Sequence, residues 1–130
     1  MILADTSVRI KALSRKPPFE EELTDLLIRG QIAGHDLVFG ELLIRDKGGG
    51  DKGGRAKALE DYERMDQAPV VPHDAVVQLV HIRKLHGQGV GWIDVHLLAS
   101  ALVGRLRLWT ADPRLHRVAQ ELGVAYPRSR

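Results

Sequence analysis

Residues 1–10 read MILADTSVRI, and the fold turns on this stretch. Ile2 to Ala4 is an apolar run too short for a helix, so it reads as a buried strand. Thr6 or Ser7 then caps a helix that runs to about Leu13. Between them stands Asp5, a carboxylate delivered at the very end of an apolar strand.

Working outward, Pro17-Pro18 breaks the first helix. Residues 20–29 put Leu23, Leu26 and Leu27 on one face of a second helix with an acidic start. Asp36 to Phe39 is expected as a second strand, with a helix over 40–46 beginning near Glu41. GGGDKGG at 48–54 reads as a flexible loop. It lacks the G-x-x-x-x-G-K-[ST] spacing of a phosphate cradle. A charged helix over 55–66 and a third strand over Ala68 to Val71 follow. Pro72 suits the first position of the next helix, which ends in HGQGVG. IDVHLLASALV at 93–103 is a strongly apolar helix with Asp94 in its first turn. Leu106 to Thr110 is a fourth strand, Pro113 opens a helix to Leu122, and Val124 to Tyr126 is a short fifth strand. Alternation of this kind implies an α/β fold: a four- to five-stranded parallel sheet covered on both faces, with right-handed crossovers.

The 130 residues suit one domain, expected to span 1–130, and 44% hydrophobic content fills one core. No run approaches the length of a membrane span. There is no cysteine, which excludes disulfides and thiolate metal sites. With no export signal ahead of Asp5, the expected location is the cytoplasm. Net charge is only +2, but six arginines (105, 107, 114, 117, 128 and 130) crowd the C-terminal region against Asp112 and Glu121. Such a surface attracts phosphate backbones.

In open parallel sheets, ligands bind beyond the carboxyl ends of the strands. Asp5 follows strand one, Glu41 comes just after strand two, and Asp112 follows strand four. Asp94 lies in the first turn of the helix before strand four, where the helix dipole favours its ionised form. Each acid alone has a plain explanation as a cap or a solvent-facing side chain. As a set they sit in apolar sequence, and carboxylates drawn into apolar surroundings need partners. No basic residues are placed to serve all four. A hard divalent cation such as Mg²⁺ or Mn²⁺ prefers oxygen donors and would fit. Metal-assisted hydrolysis of a phosphodiester is the chemistry this set suggests.

The six histidines offer no zinc site: His81 and His86 are five apart, no H-E-x-x-H occurs, and most read as surface or rim residues. Trp92 and Trp109 could stack on bases, but both read as core. A phosphoryl-accepting receiver needs adjacent acids after strand one, and a haloacid-type phosphatase needs D-x-D. The chain has D-T-S. A catalytically silent module that only binds RNA or a partner is the alternative in a different class.

Four segments, MILADTSVRI, GELLIRD, GVGWIDVHLLASALV and LWTADPRL, together resemble the signature segments of PIN-domain ribonucleases. The nearest likeness is to VapC-type toxins of type II toxin–antitoxin systems. It runs from residue 1 to about 126. The resemblance implies a three-layer α/β/α fold and Mg²⁺- or Mn²⁺-dependent RNA cleavage. It makes Asp5, Glu41, Asp94 and Asp112 the acidic quartet, with Asp5 and Asp94 as direct metal ligands. Glu41 and Asp112 would act through water, hold a second metal or orient the attacking water. Thr6, Ser7 and Thr110 would support them. It further implies a homodimer and a cognate VapB-like antitoxin whose tail occupies the acidic cleft and whose other part binds operator DNA. Two features depart from the pattern: Arg9 where an aromatic residue is common, and the glycine-rich loop at 48–54.

Overall fold

The structure, a computed structural model, describes residues 1–45 and 60–127. Strand β1 (Ile2–Ala4) leads into helix α1 (Thr6–Leu13), followed by α2 (Phe19–Ile28) and α3 (Asp36–Arg45). A helical turn over 60–64 precedes α4 (His73–Arg83), α5 (Trp92–Gly104), strand β2 (Arg107–Trp109) and α6 (Pro113–Glu121). The expected glycine loop at 48–54 and the first part of the expected 55–66 helix lie outside the described residues. So do Arg128 and Arg130. Among the described residues, no helix is long and apolar enough to cross a membrane.

β1 and β2 pair in parallel, with Leu3 opposite Leu108 and Ala4 opposite Trp109. The rest of the expected sheet is reduced to single parallel bridges: Ile2 with Ile32, Gly34 with Gln67, and Leu108 with Ala125. Each is closed by short backbone hydrogen bonds, such as Gly34 N–H to Asp66 O and Leu108 N–H to Val124 O, both 2.7 Å. Five extended segments therefore lie side by side, in the order 67, 32–34, β1, β2, 125, although only two are ladders of more than one pair.

This corrects two expectations. Among the described residues the sheet has two regular strands, not four or five. The second extended segment lies at Ile32–Gly34, not at Asp36–Phe39, which forms the first turn of α3. Glu41 consequently sits in the middle of a helix rather than at its start. The apolar trio Leu37-Val38-Phe39 suits a buried strand or a helix face equally, and His35 caps the helix (described below).

Alternation along the strands gives the sheet two apolar faces. Leu3 and Leu108 belong to one core, with Val76, Leu97, Leu98 and Leu115 from α4, α5 and α6. Ala4 and Trp109 belong to the other, with Val8, Leu23 and Leu26 from α1 and α2. Helices thus cover both faces, the three-layer arrangement expected of a parallel sheet. α5 runs through the larger core, and its residues from Leu97 to Ala101 are all buried. The order of the segments reverses between β1 and β2: the chain first moves to one side of β1, then returns to the other. Reversal of that kind opens a crevice at the carboxyl ends of the two strands.

Candidate acidic site

The crevice between β1 and β2 is where Asp5 stands. Its backbone N–H donates to Trp109 O at 3.0 Å, so the parallel register carries one residue past each strand and brings Asp5 beside Thr110. Asp5 is 5% exposed. It is also the N-cap of α1: its Oδ1 accepts from Val8 N–H at 3.1 Å and from the Ser7 hydroxyl at 2.6 Å. Ser7 is a junction. Its Oγ also accepts from Ala111 N–H at 2.9 Å and lies 3.4 Å from the Thr110 hydroxyl.

Asp112 caps α6, where Pro113 takes the first helical position; its Oδ1 accepts from Arg114 N–H at 2.9 Å. Its own N–H donates to Thr110 Oγ1 at 3.1 Å. Arg114 Nε lies 3.8 Å from the same carboxylate oxygen, on the solvent side. Asp94 is the third residue of α5, and its Oδ2 accepts from Gly91 N–H at 3.0 Å. This is half of a capping box, because Gly91 has no side chain to return the bond. Glu41 reaches in from α3, its Oε1 accepting from the Thr6 hydroxyl at 3.1 Å. Capping and function are therefore not rivals here. The bonds that end the helices also aim the carboxylates.

Electrostatics join the four. Burial pushes the Asp5 carboxyl above its ordinary value, and the charge of Asp94 adds to this; bonds from Ser7, Thr110 and Val8 oppose it. Burial likewise pushes Asp94 up, against the Gly91 bond, and the charges of Asp112 and Glu41 push the same way. Asp94 thus feels all three other acids, across elements far apart in sequence.

A proton on Asp5 is held more tightly by the folded chain than by the unfolded one. The stability this contributes is full below 3.8, the ordinary value, and is lost as pH rises through the folded value. In metal-free protein, the melting temperature of Asp5→Asn minus that of the original chain should therefore grow as pH rises from below 4. A difference that stays flat or shrinks between pH 3 and 7 counts against the burial of this charge.

All four carboxylates carry hard oxygen donors, and Asp5 and Asp94 are drawn partly out of water beside like charge. That environment suits a hard divalent cation. Among the described residues, no three Asp, Glu or His side chains stand close enough to form a ready-made metal cage. Mg²⁺ does not require one, since it binds through one or two carboxylates and keeps several waters.

Both tryptophans were expected in the core; only Trp109 is there. Trp109 is 4% exposed, stacked with Phe19 and tilted against Tyr126, whereas Trp92 is 46% exposed. The Trp92 ring lies 4.9 Å from that of His96 and 5.5 Å from that of His73, two residues ahead of Asp94. Arg9 turns toward the 60–65 segment: its Nη2 lies 3.8 Å from Met65 Sδ, and Asp61 is its charged neighbour. Burial lowers its pKa, and its Nε has no hydrogen-bond partner among the described residues. His35 and His116 are buried, against the expectation for most histidines, while His73, His81 and His86 are exposed. His35 went unnoticed in the sequence because its surroundings read as strand; a polar residue two before an apolar helical face was the available signal.

Comparison with known proteins bears on the fold and the family. The family model described as PIN domain matches residues 2–121. Ribonuclease VapC32 of Mycobacterium tuberculosis, from strain CDC 1551 / Oshkosh and from strain ATCC 25618 / H37Rv, is 42% identical over 126 residues. The match covers 96% of this chain and 95% of the relative. Among solved structures, PAE2754 from Pyrobaculum aerophilum is similar with a TM-score of 0.57, covering 89% of this chain and 84% of that one. At 19% identity the likeness to PAE2754 concerns the fold alone.

Proposed function

The chain belongs to the PIN-domain family, and from that premise we propose that it is a divalent-metal-dependent endoribonuclease, the toxin of a type II toxin–antitoxin pair. One observation carries the reading. Asp5 and Asp112 close two adjacent parallel strands where the segment order reverses, and Asp94 feels both, together with Glu41.

Asp5 and Asp94 would hold Mg²⁺ or Mn²⁺. When bound, such an ion offsets charge on a phosphoryl oxygen and lowers the pKa of a coordinated water. Glu41 and Asp112 would act through water on that ion, hold a second one, or orient the attacking water. Thr6 holds the Glu41 carboxylate, Ser7 holds that of Asp5, and Thr110 fixes the Asp112 backbone and stabilises the Asp5 carboxylate. Arg114 and Arg117 of α6 add positive charge along the RNA's approach. The single domain spans 1–130, works as a homodimer in the cytoplasm, and is silenced by a VapB-like antitoxin that also carries the pair to operator DNA.

Purified protein incubated with total RNA should cleave it with Mg²⁺ or Mn²⁺ and stop in excess chelator. Cleavage that persists under chelation would overturn the metal mechanism. A silent binding module, for which the exposed Trp92 would serve equally well, is the second reading. It predicts binding without new RNA ends, which end-sequencing after induced expression, with Asp94→Asn as control, decides.

Trp92 offers an open aromatic surface beside the acids. Trp92→Ala should raise KM for RNA about fivefold, the lower end of base stacking at ~1 kcal/mol, with kcat little changed. A KM equal to that of the original chain would remove Trp92 from the RNA path.

A further inference from the structure

His35 is 2% exposed and lies between α3 and α5, with both ring nitrogens engaged. Nδ1 is 3.1 Å from Leu37 N, and Nε2 is 2.9 Å from Ser100 Oγ. A backbone N–H can only donate, so Nδ1 must be the acceptor and carries no proton. The proton of the neutral ring then sits on Nε2 and is donated to Ser100. One bond caps α3. The other crosses to the middle of α5, where Ser100 is fully buried. A serine or asparagine before α3 would cap the helix equally well but would not span to Ser100. Imidazole, with nitrogens on opposite sides of a rigid ring, does both.

α3 carries Glu41 and α5 carries Asp94. α3 is lightly held: Val38 is its buried residue, while Leu43 and Ile44 face solvent. Among the described residues its further ties are the half-buried Leu42 against the larger core, the Thr6 bond to Glu41 and the contacts of Tyr62 with Asp36 and Phe39. We propose that His35 is a positioning residue of the acidic site, whose Nε2-protonated ring locks α3 onto α5 and so fixes where Glu41 stands relative to Asp94. This rests on reading that site as a metal centre.

The neutral ring has to persist near neutral pH for the lock to hold. Burial holds the His35 pKa below its ordinary value; Asp36 on its own helix favours the cation and His96 on α5 opposes it. The hydroxyl of Tyr62, from the 60–64 turn, bonds to Asp36 and faces the same corner. A proton on Nδ1 would leave the Leu37 N–H without its acceptor and free the start of α3.

The test uses full-length metal-free protein, Mn²⁺ titration, amide hydrogen exchange, nitrogen NMR of the ring and RNA cleavage. Ser100→Ala removes only the crossing bond; His35→Asn keeps a cap and also loses the crossing. Each should lower Mn²⁺ affinity and kcat by about tenfold, the range seen when groups behind metal ligands are removed, with KM within about twofold. Exchange should quicken from Leu37 to Glu41 and stay unchanged in α5. The ring spectrum at neutral pH should show the proton on Nε2. The proposal is overturned if folded Ser100→Ala keeps its Mn²⁺ affinity and kcat within about twofold, or if the proton sits on Nδ1. A wild-type protein that binds no Mn²⁺ overturns the metal reading itself, and this proposal with it, before any variant is made.

Discussion

Asp94→Asn, and separately Asp5→Asn, should leave a folded protein that cleaves RNA at least about 10³-fold more slowly. The size follows from the several kcal/mol that a metal supplies to a phosphoryl transition state, at 1.36 kcal/mol per tenfold in rate. Asparagine is the informative substitution. It keeps the shape and the acceptor oxygen that caps α1 through Val8 N–H, so the helix start survives in Asp5→Asn. In Asp94→Asn the amide oxygen still accepts from Gly91 N–H. What is lost is the charge and, at Asp5, one acceptor oxygen among those that Ser7, Thr110 and Val8 engage. Without metal, both variants should melt a few degrees higher than the original chain, the shift expected for about 1 kcal/mol in a domain of this size. Burial and neighbouring acids oppose ionisation at both positions, so removing the charge relieves the folded state. Asp5→Ala separates the terms, since it loses charge and cap together and forfeits about 1 kcal/mol of capping. Asparagine variants that cleave RNA within tenfold of the original rate would show that these carboxylates do not hold the reaction's metal. Variants that melt lower would show that the crevice is already neutralised by a group other than metal.

Much of this candidate site's layout was legible in the sequence, for a definite reason. Asp5 and Asp112 are tied to strand ends, and β1 and β2 announced themselves through short apolar runs abutting capping residues. Parallel pairing then carries both acids to one edge without further information. Asp94 was legible because an acid in the first turn of an otherwise apolar helix stands out. Glu41 was found as a residue but misplaced in structure. Leu37-Val38-Phe39 fits either periodicity over so short a run, and the capping bond from His35 to Leu37, which turns the stretch into helix, is invisible to a pattern of apolar positions. The sheet was overcounted for a related reason. Val70 is half exposed and Val124–Tyr126 makes a single bridge, so apolar content there reflects packing against neighbours rather than a ladder. Trp92 was misread as core because its place beside an apolar helix says nothing about which way the first residue of that helix points.

Ser7→Ala should weaken the site and the fold together, through one atom. Ser7 Oγ donates to Asp5 Oδ1, accepts from Ala111 N–H and borders Thr110, so it sews the start of α1 to the end of β2. Alanine leaves the Ala111 N–H without that acceptor, which costs about 1–3 kcal/mol for a group shielded from water. It also removes a hydrogen bond that favours the ionised Asp5. With Ser7 gone, the Asp5 carboxyl should rise further above its ordinary value and turn more freely. Outer contacts of this kind typically change metal affinity or activity by about 10–100-fold, and the loss here should fall in that range. Ser7→Thr keeps the hydroxyl and should recover most of the activity. That recovery distinguishes the hydroxyl's role from mere packing, because threonine alters the volume while restoring the bonds. Activity lost equally in Ser7→Thr and Ser7→Ala would mean that shape at this corner, and not the hydrogen bond to Asp5, sets the rate.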